Sequence, residues 1–229
     1  MKNTIKYLIL LIIYLVCGVN LQAQNYTFRN VVMSDGLSGL LVNAIYKDSE
    51  GFVWLGTDNC LDRFDGVKVR HYEFRGVDSG RKKRVNCITE TADNQLWVGN
   101  GIGLWRLNRA NGQLERIVPE KIDFAVNTLL PDGDILYIGT EKGLFIQKDG
   151  QFLQVLTDRN MLAACNRIMD LCLNEDKSAL WLATVQGLFS YSLKDGKIDS
   201  WHFQENVPEA DYFRCLTRIG ETLYLGTMS

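Results

Sequence analysis

Short apolar runs separated by polar turn residues dominate the chain from residue 42 onwards. Within residues 42–72 the sequence divides into four β-type runs, NAIYKD, FVWLGT, CLDRF and VKVRHY. The dipeptide Asp65-Gly66 separates the last two runs, and Asp-Gly favours a tight hairpin because primed turns require positive φ angles. This segment therefore predicts a four-stranded antiparallel meander.

The same pattern recurs along the rest of the chain. Each unit has an asparagine near the first run, an aromatic residue followed two positions later by glycine, a Gly-Leu pair and a turn glycine. These are Asn43, Asn86, Asn127 and Asn166; Trp54, Trp97, Tyr137, Trp181 and Tyr224; Gly103, Gly143 and Gly187; and Gly66, Gly112, Gly150 and Gly196. Cys60 and Ala183 depart from the pattern, each in place of a glycine. The aromatic residues lie about 40 to 44 residues apart, which indicates a tandem repeat.

The second strand of each unit indicates how the units pack. In VWLGT, Trp54 and Gly56 share one face and Leu55 lies on the other, so both faces should be buried. Radial stacking of four-stranded blades at this period is the β-propeller arrangement. We therefore predict an all-β fold, an incomplete β-propeller of antiparallel blades, about four and part of a fifth. The repeats lie near residues 42–72, 85–117, 126–155, 165–201 and 212–229.

The first 23 residues have the features of a signal peptide. Lys2 and Lys6 precede an apolar run at residues 7–19, which is too short for a typical bilayer core, and Ala23 suits a cleavage point. We expect cleavage after residues 1–23, export to the periplasm and no membrane span in the remaining residues 24–229. A retained anchor and a lipid-modified Cys17 remain alternatives.

Composition and charge narrow the classes of function. Apolar residues make up 46% and charged residues 23% of the chain, which is typical of a globular domain. A formal net charge of −2 gives no basis for binding nucleic acid. Neither His71 nor His202 has a Cys, Asp or Glu partner at a recognised metal-ligand spacing, so we expect no metal and no cofactor. The cysteines show no pairing pattern, and we expect no structural disulfide.

Residues 48–66, DSEGFVWLGTDNCLDRFDG, resemble the two-component regulator propeller repeat, with Cys60 as a departure. Residues 35–38, Asp-Gly-Leu-Ser, are similar to the usual start of sensors of this family. The resemblance implies the extracytoplasmic sensor region of a hybrid two-component system histidine kinase, an inner-membrane protein when full length. It also implies a glycan-derived ligand such as an oligosaccharide, a homodimer in the full-length parent, and a truncated, non-catalytic fragment that lacks the kinase.

The ligand contacts have only weak candidates. The basic run Arg81-Lys82-Lys83-Arg84 lies between two units and could contact an anion or glycan, although a solvated loop is the plainer interpretation. Trp54, Trp97 and Trp181 repeat at one position and are predicted to be core residues. Trp105 and Trp201 do not repeat in that way and are candidates for exposed aromatic residues that stack on a sugar.

Two other functions are compatible with the repeat. One is a glycan-active propeller enzyme, either a sialidase-like hydrolase or a lyase. A hydrolase would need two carboxylates held across a site, and no pair of acidic residues stands out in the sequence. The other is a protein-interaction scaffold without a small ligand. A chain that binds an oligosaccharide without turning it over would distinguish the sensor from both.

Overall fold

A computed structural model describes residues 6–7, 28, 30–77, 83–117, 122–156, 167–201 and 212–227. The chain divides into two compact units, Met1–Val31 and Val32–Ser229, and the second unit contains the repeats. The predicted signal peptide lies outside the described residues except for Lys6 and Tyr7. Among the residues that are described, no helix is long and apolar enough to cross a membrane.

The described part of the second unit is built from β-strands in five antiparallel sheets, preceded by a 3₁₀ turn at Met33–Asp35. The first sheet comprises β1 (Val42–Lys47), β2 (Val53–Thr57), β3 (Leu61–Phe64) and β4 (Val69–Tyr72). The second comprises β5 (Val85–Glu90), β6 (Leu96–Asn100), β7 (Gly103–Asn108) and β8 (Gln113–Ile117). The third comprises β9 (Val126–Asp132), β10 (Ile135–Thr140), β11 (Gly143–Lys148) and β12 (Gln151–Gln154). The fourth comprises β13 (Ile168–Leu173), β14 (Ala179–Thr184), β15 (Gly187–Ser192) and β16 (Ile198–Trp201), and the fifth comprises β17 (Phe213–Ile219) and β18 (Thr222–Thr227).

Each four-stranded sheet is a meander in which consecutive strands pair. Tight turns close the outer hairpins, and Gly66 takes a φ of 96° in the first of them, as the Asp-Gly signal predicts. The first strands of successive sheets lie beside one another, from β1 through β5, β9 and β13 to β17. The all-β class of the prediction is therefore confirmed.

The glycine after the repeated aromatic residue lets successive sheets approach closely. A Cβ atom added to Gly56 would lie 2.5 Å from Val85 Cγ1, and one added to Gly99 would lie 2.6 Å from Val126 Cγ1. Each valine is the first residue of the first strand in the following sheet. Its side chain packs into the space that the glycine leaves. A glycine inside a strand is typical of places where another part of the chain approaches closely.

Asparagine side chains join the first strands of neighbouring sheets. Asn86 Nδ2 donates to the carbonyl oxygen of Val126 at 2.9 Å, and Asn127 Nδ2 donates to that of Ile168 at 2.8 Å. The register places Met169, directly after Ile168, at the equivalent position of the fourth sheet. Asn166, which was placed in this series from the sequence, lies outside the described residues.

The repeated tryptophans are core residues in the first two sheets. Trp54 and Trp97 are buried, and their indole N–H groups donate to Asp48 Oδ2 at 2.8 Å and to Thr91 Oγ1 at 3.1 Å. These two predictions are confirmed. Trp181 is only half-buried, and its ring packs against a second tryptophan, Trp201, with the ring centroids 4.9 Å apart.

The prediction that Trp105 is exposed was wrong. Its side chain is only 1% exposed, and it packs edge-on against Phe74 at a centroid distance of 4.9 Å. The indole N–H donates to Asn100 Oδ1 at 3.2 Å. The position does repeat, but as any aromatic residue rather than as tryptophan, because Phe145 and Phe189 follow the Gly-Leu pair in the next two sheets.

Candidate functional site

One position of β3 in the first sheet carries a different kind of residue from the equivalent position in the next three sheets. Asp62 pairs with Leu55 of β2, and the equivalent pairs in the next three sheets place Trp105, Phe145 and Phe189 opposite an aliphatic residue. An acidic side chain therefore stands where the other sheets bury an aromatic ring. Asp62 is nevertheless 0% exposed.

Two further residues, Cys60 and His71, lie next to Asp62. Cys60 takes the place of the Gly-Leu glycine, where Gly103 and Gly143 have positive φ angles of 142° and 111°. His71 pairs with Asp62 across the β3–β4 hairpin, at the position that Arg116 occupies in the second sheet. Cys60 and Asp62 thus depart from the repeat together. The position of His71 varies between sheets, with Arg116, Gln154 and Ser200 as its equivalents.

The carboxylate of Asp62 divides its contacts between two groups. Oδ1 lies 2.7 Å from His71 Nδ1 and accepts a hydrogen bond from the Cys60 thiol at 3.3 Å. Oδ2 accepts hydrogen bonds from the backbone N–H of Ser38 at 2.8 Å and from its hydroxyl at 2.7 Å. This set of polar contacts offsets the cost of burying the charge.

The segment before β1 docks on this end of the first sheet. The 3₁₀ turn ends at Gly36, whose φ of 99° redirects the chain towards Ser38. The Ser38 hydroxyl lies 2.9 Å from Thr57 Oγ1, and the Ser38 carbonyl oxygen accepts a hydrogen bond from Asn59 Nδ2 at 2.7 Å. Of the residues Asp-Gly-Leu-Ser singled out in the sequence, Ser38 thus contacts Asp62.

A cavity of about 340 Å³ opens beside the cluster. It is lined by Ser38, Asn59, Cys60, His71, Glu73, Phe74 and Lys83. The His71 side chain is 48% exposed and so links the buried carboxylate to the open space. Hydrogen-bonding groups of both charges meet here, which suits a polar, uncharged ligand better than an anion.

The electrostatics of the cluster do not support nucleophilic catalysis. Burial, reinforced by the nearby Asp62 charge, raises the pKa of the Cys60 thiol to about 12, so the thiol is protonated at neutral pH. The thiol and the imidazole Nδ1 both contact the same oxygen of Asp62, whereas a cysteine nucleophile needs a base nitrogen at its sulfur. The arrangement is better suited to binding than to attack on a substrate.

The sequence-predicted contacts are only partly brought together. Lys83 is half-buried and lines the cavity, whereas Arg84 is exposed and donates from Nε to Asn86 Oδ1 at 3.2 Å. Arg81 and Lys82 lie outside the described residues. Trp201 is 40% exposed, as expected, but it belongs to the fourth sheet and does not line this cavity.

Sequence reasoning missed the cluster of Cys60, Asp62 and His71. Spacing along the chain gave no metal-ligand motif, but the donor atoms of these residues lie within 4.8 Å of one another. The available signal was the Asp65-Gly66 turn, since a hairpin closed there brings Asp62 opposite His71. The side chain of His71 is 48% exposed, and it has an acidic partner, Asp62, and the thiol of Cys60 beside it.

Comparison with known proteins identifies the class. The sequence model of the family described as two component regulator propeller matches residues 36–59, which span the docked segment, β1, β2 and the turn after β2. A histidine kinase of Formosa agariphila is 32% identical over 79 residues, which are 34% of this chain and 6% of the kinase. The predicted two-component regulator propeller is thereby confirmed.

Solved structures extend the likeness over most of the chain. The extracellular domain assigned to a hybrid two-component system of B. thetaiotaomicron is 25% identical, has a TM-score of 0.66 and is matched over 81% of this chain and 26% of its own. A second such domain of B. thetaiotaomicron, 22% identical, has a TM-score of 0.73 and is matched over 89% of this chain and 30% of its own. Virginiamycin B lyase from Staphylococcus aureus, 16% identical with a TM-score of 0.66, shares the fold over 84% of this chain and 65% of its own.

The five sheets are therefore blades of a β-propeller, and the chain carries a two-component regulator propeller repeat. Over most of its length it is similar to the extracellular domains of hybrid two-component systems. It spans about a quarter to a third of the solved domains and a small fraction of the kinase.

Proposed function

We propose that the chain is ligand-recognising propeller sequence of an extracytoplasmic two-component sensor, and that its ligand is an oligosaccharide derived from a glycan. The observation that supports this most is the 25% identity to an extracellular domain of a hybrid two-component system over 81% of the chain. Export to the periplasm, through the signal peptide predicted at residues 1–23, is part of the proposal.

The chemistry of the cavity beside Asp62 supports a sugar ligand. Asn59, His71 and Glu73 offer donors and acceptors, and Lys83 adds a donor. Sugars are bound by such mixed polar groups, and a cavity of about 340 Å³ is within the range of small-molecule sites. The role is non-catalytic, because the cluster holds its thiol protonated and offers no activated nucleophile.

Binding and turnover can be measured on the same samples. The purified protein is titrated by calorimetry against a panel of plant and host oligosaccharides, and the mixtures are then analysed by chromatography. We expect one panel member to bind and to be recovered unchanged. Cleavage of any member would instead identify a glycan-active enzyme, and the absence of binding across a broad panel would favour an interaction scaffold.

Variants locate the ligand. Lys83→Ala and Glu73→Gln should each weaken binding by about tenfold if their side chains contact the sugar, since a hydrogen bond to a charged group contributes about 1.5 kcal/mol. Gln147→Ala is the matched control, because Gln147 lines a different cavity of about 210 Å³ with Thr91 and Asp134. Loss of affinity in the control alone would move the site there and contradict the proposal.

A further inference from the structure

The polar cluster that contacts Ser38 also has the composition of a metal centre. Cys60, Asp62 and His71 supply one sulfur, one carboxylate oxygen and one imidazole nitrogen, all within 4.8 Å of one another. Thiolate, imidazole and carboxylate are the three protein ligand types that zinc takes, and many zinc sites combine them. We propose that Cys60, Asp62 and His71 form a site for a divalent transition-metal ion of the Zn²⁺ class.

The distances fit tetrahedral coordination after a small expansion. Metal–ligand bonds of about 2.0 to 2.3 Å place neighbouring donor atoms roughly 3.3 to 3.5 Å apart. In the structure the Cys60 sulfur lies 3.3 Å from Asp62 Oδ1, which already matches, and His71 Nδ1 lies 2.7 Å from the same oxygen. The Cys60 sulfur and His71 Nδ1 lie within 4.8 Å of each other, so the imidazole, whose side chain is 48% exposed, has to move to bring all three donors to one ion.

The second carboxylate oxygen stabilises the ligand orientation. Asp62 Oδ2 accepts hydrogen bonds from the backbone N–H and from the hydroxyl of Ser38. The metal needs only Oδ1, so these hydrogen bonds can persist when Oδ1 coordinates. Hydrogen bonds of this kind fix ligating carboxylates in metalloproteins. Ser38 is therefore a positioning residue for the metal, and the docked segment becomes part of the centre.

The site also has an entry path and an open side. Cys60 and His71 both line the cavity of about 340 Å³, so an ion can reach the donors from solvent. Three protein ligands leave a fourth position of a tetrahedral ion open to water or to another ligand.

Binding requires a proton to leave. The thiol of Cys60 loses its proton as the sulfur–metal bond forms, and the imidazole coordinates in its neutral form through Nδ1 with its proton on Nε2. The thiol proton passes to the buffer, with no oxidation or reduction. The enthalpy measured in buffers of different ionisation enthalpy should therefore report about one proton released per metal bound.

The test uses the metal alone, without any sugar, so its outcome is independent of the glycan proposal. The full chain, kept in a non-chelating reductant, is titrated with Zn²⁺ by calorimetry and with Co²⁺ by absorption spectroscopy. We expect one ion per chain, a thiolate-to-cobalt charge-transfer band and the intense visible bands of tetrahedral cobalt. His71→Gln and Cys60→Ala should each lower the Zn²⁺ affinity by at least about 100-fold.

A check of the fold and a control variant show whether lost binding is due to the missing ligand. His71→Gln changes a half-exposed side chain and should keep the fold, which circular dichroism verifies, so lost binding can be assigned to the ligand. Cys215→Ser, at an exposed cysteine on the fifth sheet, should leave both affinity and spectrum unchanged. The proposal is overturned if Zn²⁺ fails to bind, if cobalt shows no thiolate band, or if the Cys60 and His71 variants bind as tightly as the unaltered chain.

Discussion

The first and second sheets share one sequence pattern but use the same packing position in opposite ways. In the second sheet this position carries Trp105, which buries an aromatic ring against Phe74. In the first sheet it carries Asp62, which buries a charge against Ser38, Cys60 and His71. The ring contributes through apolar area, whereas the carboxylate contributes only while its partners remain. A repeat can therefore keep its strand order while one position changes from a stability element to a binding element.

Removing the ring should produce the largest effect. Trp105→Ala leaves a cavity in a fully buried position, and we expect a loss of about 3–5 kcal/mol in the free energy of unfolding. Urea unfolding followed by circular dichroism measures it. Trp201→Ala, at an exposed tryptophan, is the control and should cost less than about 1.5 kcal/mol. Equal losses in the two variants would contradict the assignment of Trp105 to the core.

Removing the carboxylate should have an intermediate effect. Asp62→Ala leaves the Ser38 and His71 donors without their acceptor, and hydrogen bonds to a charged group contribute about 1.5–3 kcal/mol. We expect a loss of about 2–3 kcal/mol in urea unfolding with a chelator present, which removes any contribution from bound metal.

The isosteric change Asp62→Asn keeps an acceptor for Ser38 and should cost less than Asp62→Ala. If Asp62→Ala changes the unfolding free energy by less than about 0.5 kcal/mol, the polar contacts do not stabilise the first sheet. In that case the comparison with Trp105 would fail.

Ionisation of Cys60 should have the smallest effect on stability at neutral pH, because the effect is confined to high pH. Burial raises the pKa of this thiol from 9.0 to about 12, so the folded state favours the neutral form. Its contribution to stability is complete below about pH 9 and is lost as the pH rises from there towards about 12.

Alkylation by iodoacetamide at pH 8 gives a direct measurement. The raised pKa lowers the thiolate fraction by about two to three orders of magnitude, so mass spectrometry should find Cys60 labelled at least about tenfold more slowly than exposed Cys215. Unfolding in urea should remove the difference. Equal rates in the folded protein would show that Cys60 is not buried as described.

The repeat made the fold predictable, whereas the site arises where the repeat is broken. Gly56 and Gly99 recur because a valine in the first strand of the following sheet occupies the space beside each of them. The same steric requirement therefore appears at a regular interval in the sequence. Cys60, Asp62 and His71 occur once, and their meeting depends on the register of one hairpin. The expectation for Trp105 was wrong for a related reason. Identical residues mark the repeat in the sequence, whereas this position requires only a buried aromatic ring of any type.

The bond between Ser38 and Asp62 has a consequence for how the chain tolerates change. One of its two donors is a peptide N–H, which every residue except proline possesses. Substitution at position 38 by any residue other than proline can therefore delete the hydroxyl but keeps the peptide donor. A change at the aspartate would instead remove the acceptor of both hydrogen bonds at once, and Ser38 would retain its contacts with Thr57 and Asn59.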